Sequence, residues 1–137
     1  FLHSLGAMHL MREAIGSLRE KGVEITDNEA TASMAAILLH DVGHGPFSHV
    51  MEHTLVEGIT HEEISLMMME KMRDELAEQD KELLNLAIAI FKDEYPKHFL
   101  HQLISSQLDV DRLDYLCRDS FFCGVTEFPH PLGDWAY

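Results

Sequence analysis

His40, Asp41, His44 and His49 place three imidazoles and a carboxylate inside one short run, Leu38-Leu39-His40-Asp41-Val42-Gly43-His44-Gly45-Pro46-Phe47-Ser48-His49. Imidazole nitrogens and carboxylate oxygens together form the donor set of a divalent metal centre that activates water for hydrolysis. Side chains at adjacent helical positions diverge, so His40 and Asp41 can address one ion only where the helix ends and the backbone turns. Gly43, Gly45 and Pro46 supply that ending, because glycine permits turn conformations and proline removes a backbone donor.

Other residues could serve the same chemistry. Pro46 suits the first turn of a short helix carrying His49 and Glu52, whose spacing of three lets the carboxylate orient the imidazole as an acid/base dyad. His61 and Glu62 open a further helix, and a helix N-terminus favours an anion. Arg112, Tyr115 and Asp119 fall on one helical face. His9, His53, His98, His101 and His130 lack motif context and read as surface or hydrogen-bonded histidines. Asp109 reads as a helix cap and Asp114 as the partner of Arg118 four residues on.

Helices must position these groups. Leu5, Leu10, Met11, Ile15 and Leu18 form a stripe that ends at Gly22, and Thr26 with Glu29 is a capping box opening a second helix that runs to His40. Thr60 with Glu63 is another capping box, starting a helix in which Met67, Met68, Met69 and Met72 read as core filler. Asp80 reads as the cap of a segment over Leu83 to Phe91 that stops before Pro96. Two helical runs follow, about Phe99 to Leu108 and Val110 to Ser120. Only Gly22 to Ile25 and Gly124 to Thr126 look extended, so the expected fold class is an all-α bundle.

With 46% apolar residues, the 137-residue chain can bury one core, expected over residues 1–127 with an irregular tail over 128–137. A start at Phe1 and that Pro- and Gly-rich tail read as a piece of a longer protein. No apolar run reaches the roughly eighteen residues of a membrane span, and no signal peptide is visible, which points to a cytoplasmic protein without a membrane partner. Cys117 and Cys123 are read as reduced thiols. A net charge of −14 argues against nucleic acid as a partner, and any anionic substrate needs local neutralisation by a metal, protonated histidines, or Arg112 and Arg118.

Four blocks carry a family resemblance: His3-Ser4-Leu5-Gly6, the run from His40 to His49, His61-Glu62, and Asp109-Val110-Asp111-Arg112-Leu113-Asp114-Tyr115. In order and wording they resemble the H...HD...D signature of the HD-domain phosphohydrolase superfamily, and within it the deoxynucleoside triphosphate triphosphohydrolases. The resemblance implies an all-α HD-domain bundle and a divalent ion (Mn, Fe, Zn, Mg or Ni) held by His3, His40, Asp41 and Asp111. It implies catalytic roles for His44, His49, Glu52 and His61 around the scissile phosphate, and contacts from Arg112, Tyr115 and Asp119 to phosphate and sugar. The implied reaction is water attack on the α-phosphorus of a nucleotide substrate, giving deoxynucleoside and triphosphate, in a parent protein that assembles as a homo-oligomer.

Three alternatives stand beside it. One is an HD phosphodiesterase or nucleotidase with another substrate, and one is a non-catalytic nucleotide-sensing HD module. The last is a zinc peptidase, because His49-Val50-Met51-Glu52-His53 fits an H-x-x-E-H spacing, although that would leave His3, His40 and Asp111 without a role.

Overall fold

The helix starts at Thr26 and Thr60 are set by local side-chain chemistry. The Thr26 hydroxyl accepts from the Glu29 amide at 3.2 Å while the Glu29 carboxylate accepts from the Thr26 amide at 2.7 Å, and Thr60 and Glu63 repeat the exchange at 3.2 and 2.8 Å. Each box satisfies two amides that a helix N-terminus leaves without an intrahelical partner. The computed structural model describes residues 1–45 and 60–125. Among them are α1 (Leu2–Glu20), α2 (Asp27–Leu39), α3 (His61–Glu75), α4 (Glu78–Phe91), α5 (His98–Ile104) and α6 (Val110–Cys123), with no strand. The class is all-α, as expected; the short helix expected at Pro46 and the tail from Phe128 lie outside the described residues.

The boundaries differ from expectation in four places. Ala77, not Asp80, is the N-cap of α4, and Asp80 sits inside the first turn with its amide bonded to the Ala77 carbonyl at 2.9 Å. The run expected to reach Leu108 stops at Ile104, where Ser105 turns to extended backbone and the Asp109 carboxylate accepts from the Ser106 amide at 2.7 Å. Asp109 then caps α6 by accepting from the Arg112 amide at 2.7 Å, and the helix continues three residues past Ser120. Gly22 to Ile25 forms a turn and an irregular link, not a strand.

Helix α2 packs against α1 and α4, and α6 returns the chain to α1. Ala30, Ala32, Ser33 and Ala36 give α2 a surface of small side chains, which lets its neighbours approach closely, while Met11, Ile37, Ile90 and Leu100 fill the volume between them. Only Met69 of the methionines expected in the core is buried; Met67, Met68 and Met72 are exposed. At about 100° per residue, three consecutive side chains cannot share the one face α3 turns inward. No described helix is long and apolar enough to cross a membrane.

The Glu29 carboxylate is buried at the base of α2, where it accepts from the Tyr95 hydroxyl at 2.6 Å and the Lys97 ammonium at 2.9 Å in addition to its capping bond. Burial alone would push its pKa up, but the bonds from Tyr95, Lys97 and Thr26 outweigh it and hold the carboxyl at about 2. Because the folded pKa lies below the ordinary 4.5, the contribution is full above that pH and is lost as pH falls toward 2. Over that window the linkage is worth up to about 3 kcal/mol. Denaturant melts at pH 7 and pH 3 should show Tyr95→Phe and Lys97→Met less stable than the unaltered chain at pH 7, with the difference shrinking at pH 3; equal differences at both would contradict the linkage.

Candidate metal centre

α2 ends at Leu39, and His40 is its C-cap, still in helical conformation. Turn bonds from Val42 N–H to the Leu39 carbonyl and from His44 N–H to the Asp41 carbonyl then swing the chain across the first turns of α3. Ser65, fully buried on α3, fixes the crossing: its hydroxyl donates to the His40 carbonyl at 2.6 Å and accepts from the Gly43 amide at 2.9 Å. A Cβ on Gly43 would collide with the His61 carbonyl and the Ser65 backbone and hydroxyl, so only glycine permits this approach.

Two other helices bring their ends to the same point. His3 lies in the first turn of α1 and Asp111 in the first turn of α6, 108 positions apart in sequence. His3 Nε2 is 2.7 Å from Asp111 Oδ1 and 3.6 Å from Asp41 Oδ2, and His40 Nε2 is 3.3 Å from Oδ1 of both Asp41 and Asp111. His3, His40, Asp41 and Asp111 each offer one ligand atom, and these atoms all lie within 4.8 Å of one another.

The donors fit a divalent cation. Atoms bound to one ion at about 2.1 Å and at right angles are about 3 Å apart, and opposite ones about 4 Å; the separations here run from 2.7 to 3.6 Å, with every pair within 4.8 Å. The rings are oriented for it: His40 Nδ1–H donates to the Ile37 carbonyl at 2.6 Å, which leaves Nε2 toward the shared point, and His3 lies between two carboxylates, with Nδ1 2.7 Å from Asp114 Oδ2 and Nε2 2.7 Å from Asp111 Oδ1. A cation taking the place of the Nε2 proton would leave the His3 proton on Nδ1, facing Asp114. His40 Nε2 is the one buried side-chain polar atom among the described residues with no hydrogen-bond partner, since its two carboxylate neighbours are poorly aligned to accept from it. Burial lowers the His40 pKa, but the facing Asp111 carboxylate, then Asp41, then the Ile37 carbonyl outweigh burial and raise it above the ordinary value. The His40 ring, outweighing the cost of burial, holds the Asp111 carboxyl below its ordinary pKa. The site thus favours positive charge at its centre.

His44 and His61 flank this point. His44 Nε2 is 3.4 Å from Asp41 Oδ1, and its ring stacks on that of His61 with centroids 4.0 Å apart and planes inclined by 18°. His61 is the first residue of α3, so the stacked pair stands at that helix's positive end. On α6, the Tyr115 ring is 6.5 Å from that of His3, while Arg112 and Asp119 are exposed on the same helix. His49, Glu52 and His53 lie outside the described residues.

Two partners were not read from the sequence as part of the site. Asp114 was expected to pair with Arg118, and does so at 2.6 Å, but it also holds His3. Ser65 was not singled out. A signal existed for both: Asp114 is one turn along α6 from Asp111, and Ser65 is one turn along α3 from His61.

The HD domain family model matches residues 1–119. The chain belongs to the HD domain family. It is similar to a crystal structure of a phosphohydrolase from Bacteroides thetaiotaomicron, with 66% identity and a TM-score of 0.84 over 93% of this chain and 31% of that one. The Bacillus subtilis protein YwfO is 33% identical over 129 residues, covering 92% of this chain and 29% of its own length. A deoxynucleoside triphosphate triphosphohydrolase SAMHD1 homolog from Dictyostelium discoideum is 32% identical over 139 residues, covering 90% of this chain and 27% of its own length. The chain therefore spans less than a third of each of these relatives.

Ser65→Ala would leave the Gly43 amide and the His40 carbonyl buried without their bridge, at a cost of about 1–3 kcal/mol. Gly43→Ala would force backbone apart and cost about 2 kcal/mol or more. Both should lower the denaturant midpoint of the metal-free protein, and wild-type midpoints in both would show that this crossing does not hold the site.

Proposed function

We propose that this chain is the metal-holding core of a phosphohydrolase that acts on nucleotides, hydrolysing a deoxynucleoside triphosphate to deoxynucleoside and triphosphate. The observation that carries the reading is the convergence of His3, His40, Asp41 and Asp111, with the buried His40 Nε2 aimed at the shared point. A 66% identical structure bears the name phosphohydrolase, and a 32% identical relative the name deoxynucleoside triphosphate triphosphohydrolase.

The four converging residues would hold the divalent ion. When bound, such an ion lowers the pKa of water and offsets charge on a phosphoryl oxygen. The chain's own residues supply the rest. A triphosphate meets a protein of net charge −14, so its negative charge must be answered locally. The His44–His61 stack, beside Asp41 at the positive end of α3, and the exposed Arg112 guanidinium on α6 would supply that answer. Tyr115, beside His3, and Asp119, one turn further along α6, would bind the sugar hydroxyl. His49, oriented by Glu52, would deliver the proton to the departing sugar oxygen.

The test is incubation of the intact protein with Mn²⁺ and each deoxynucleoside triphosphate, with products separated by anion exchange. Inorganic triphosphate and deoxynucleoside in equal amounts are expected; orthophosphate, or activity only on other phosphoesters, would move the assignment to a sibling phosphohydrolase. Asp41→Ala should lose bound metal and at least a hundredfold in rate. Retention of both in Asp41→Ala, with their loss in His53→Ala, would replace the ligand set by the peptidase-like one.

A further inference from the structure

We propose that Asp114 is a positioning residue for the metal centre: held by Arg118, it fixes the ring of His3 so that Nε2 is presented as a ligand. The inference rests on the reading of His3, His40, Asp41 and Asp111 as a metal centre and adds a residue that works through one of them.

Two ties join the start of α1 to α6. The His3 Nδ1–H donates to Asp114 Oδ2 at 2.7 Å, and the Arg118 guanidinium donates to the Leu2 carbonyl at 2.8 Å. Arg118 also grips both oxygens of Asp114, at 2.6 Å through Nε and 3.2 Å through a terminal nitrogen. Asp114 is only 6% exposed, so an ionised carboxylate there requires these partners.

The surroundings are built around this pair. Gly6 is one turn along α1 from His3, and a Cβ at that position would collide with the Asp114 carboxylate and the Arg118 guanidinium. Asp114 engages the far nitrogen of the ring, so it stands behind His3 and not among the four converging donors. Asp111, three residues earlier, lies 2.7 Å from Nε2 on the other side, a contact that a shared cation would replace while the Asp114 contact remains. The two aspartates of one helix face therefore divide the work, one at the centre and one behind its ligand. A carboxylate bonded to the outer nitrogen fixes the tautomer and makes the inner nitrogen a stronger donor, and loss of such a partner typically weakens metal binding about 10–100-fold.

The test is Mn²⁺ titration of the intact protein, reading free Mn²⁺ by its paramagnetic resonance, with the melting temperature of the metal-free protein measured alongside. Asp114→Asn is expected to bind Mn²⁺ at least tenfold more weakly while keeping most of its metal-free stability, and Arg118→Met several-fold more weakly. Folded Asp114→Asn and Asp114→Ala proteins with unaltered Mn²⁺ affinity would overturn the proposal. A second readout needs no variant. In Zn²⁺-loaded, ¹⁵N-labelled protein the His3 ring proton is expected on Nδ1, and a proton on Nε2 would overturn the proposal even if every Asp114 variant failed to fold. An unaltered protein that takes up neither ion would remove the metal centre itself and this role with it, whereas normal uptake in the variants would remove only the brace.

Discussion

Two carboxylates, Asp41 and Asp111, are held with their oxygens within 4.8 Å of each other at a partly buried point of a chain that already carries a net charge of −14. Like charges about 5 Å apart repel by roughly 3 kcal/mol at the effective dielectric of a protein. Nothing in hydrophobic packing calls for such a placement, and the rest of the site is arranged to make it tolerable. His3 and His40 stand between and beside the two groups, and the Asp111 pKa is held down chiefly by His40. A divalent cation answers the same repulsion more fully, which is why the donor chemistry and the electrostatics point the same way.

Holding that arrangement falls to parts of the fold that never touch the shared point. Small side chains along α2 let α1 and α4 close on it, so that α2 can end where α1 and α6 begin. Two close approaches finish the positioning, Gly43 against the first turns of α3 and Gly6 against the Asp114–Arg118 pair. Each trades a side chain for a short distance between backbones or charged groups. The Glu29, Tyr95 and Lys97 cluster performs a comparable task at the other end of α2, tying the start of that helix to the link between α4 and α5.

Much of this was legible in the sequence because its signals are local. Both capping boxes begin the helices they mark, Asp109 caps α6, and the helix through Ala30 and Ile37 ends beside His40. Only the family resemblance joins His3, His40, Asp41 and Asp111 from sequence, since periodicity says nothing about which helix ends meet. The misreadings came where one sequence feature serves two demands. Asp80 has the type of a cap but falls inside a turn already closed by Ala77. The methionine run has the hydrophobicity of a core but spans more of a helix circumference than α3 can bury. Asp114 has an obvious partner at i+4, which concealed its second partner across the fold.

His3 and its acidic neighbours are separated by 108 and 111 positions along the chain. Contacts of such long range carry a large entropy of loop closure, which packing of the intervening helices must offset. The centre therefore depends on the whole bundle and not on any one stretch of it. A disruptive change in the first turn of α1 would take one donor from the centre while leaving His40 and Asp41 in place at the end of α2, so a complete donor set doubles as a report that two distant stretches of the polypeptide have met.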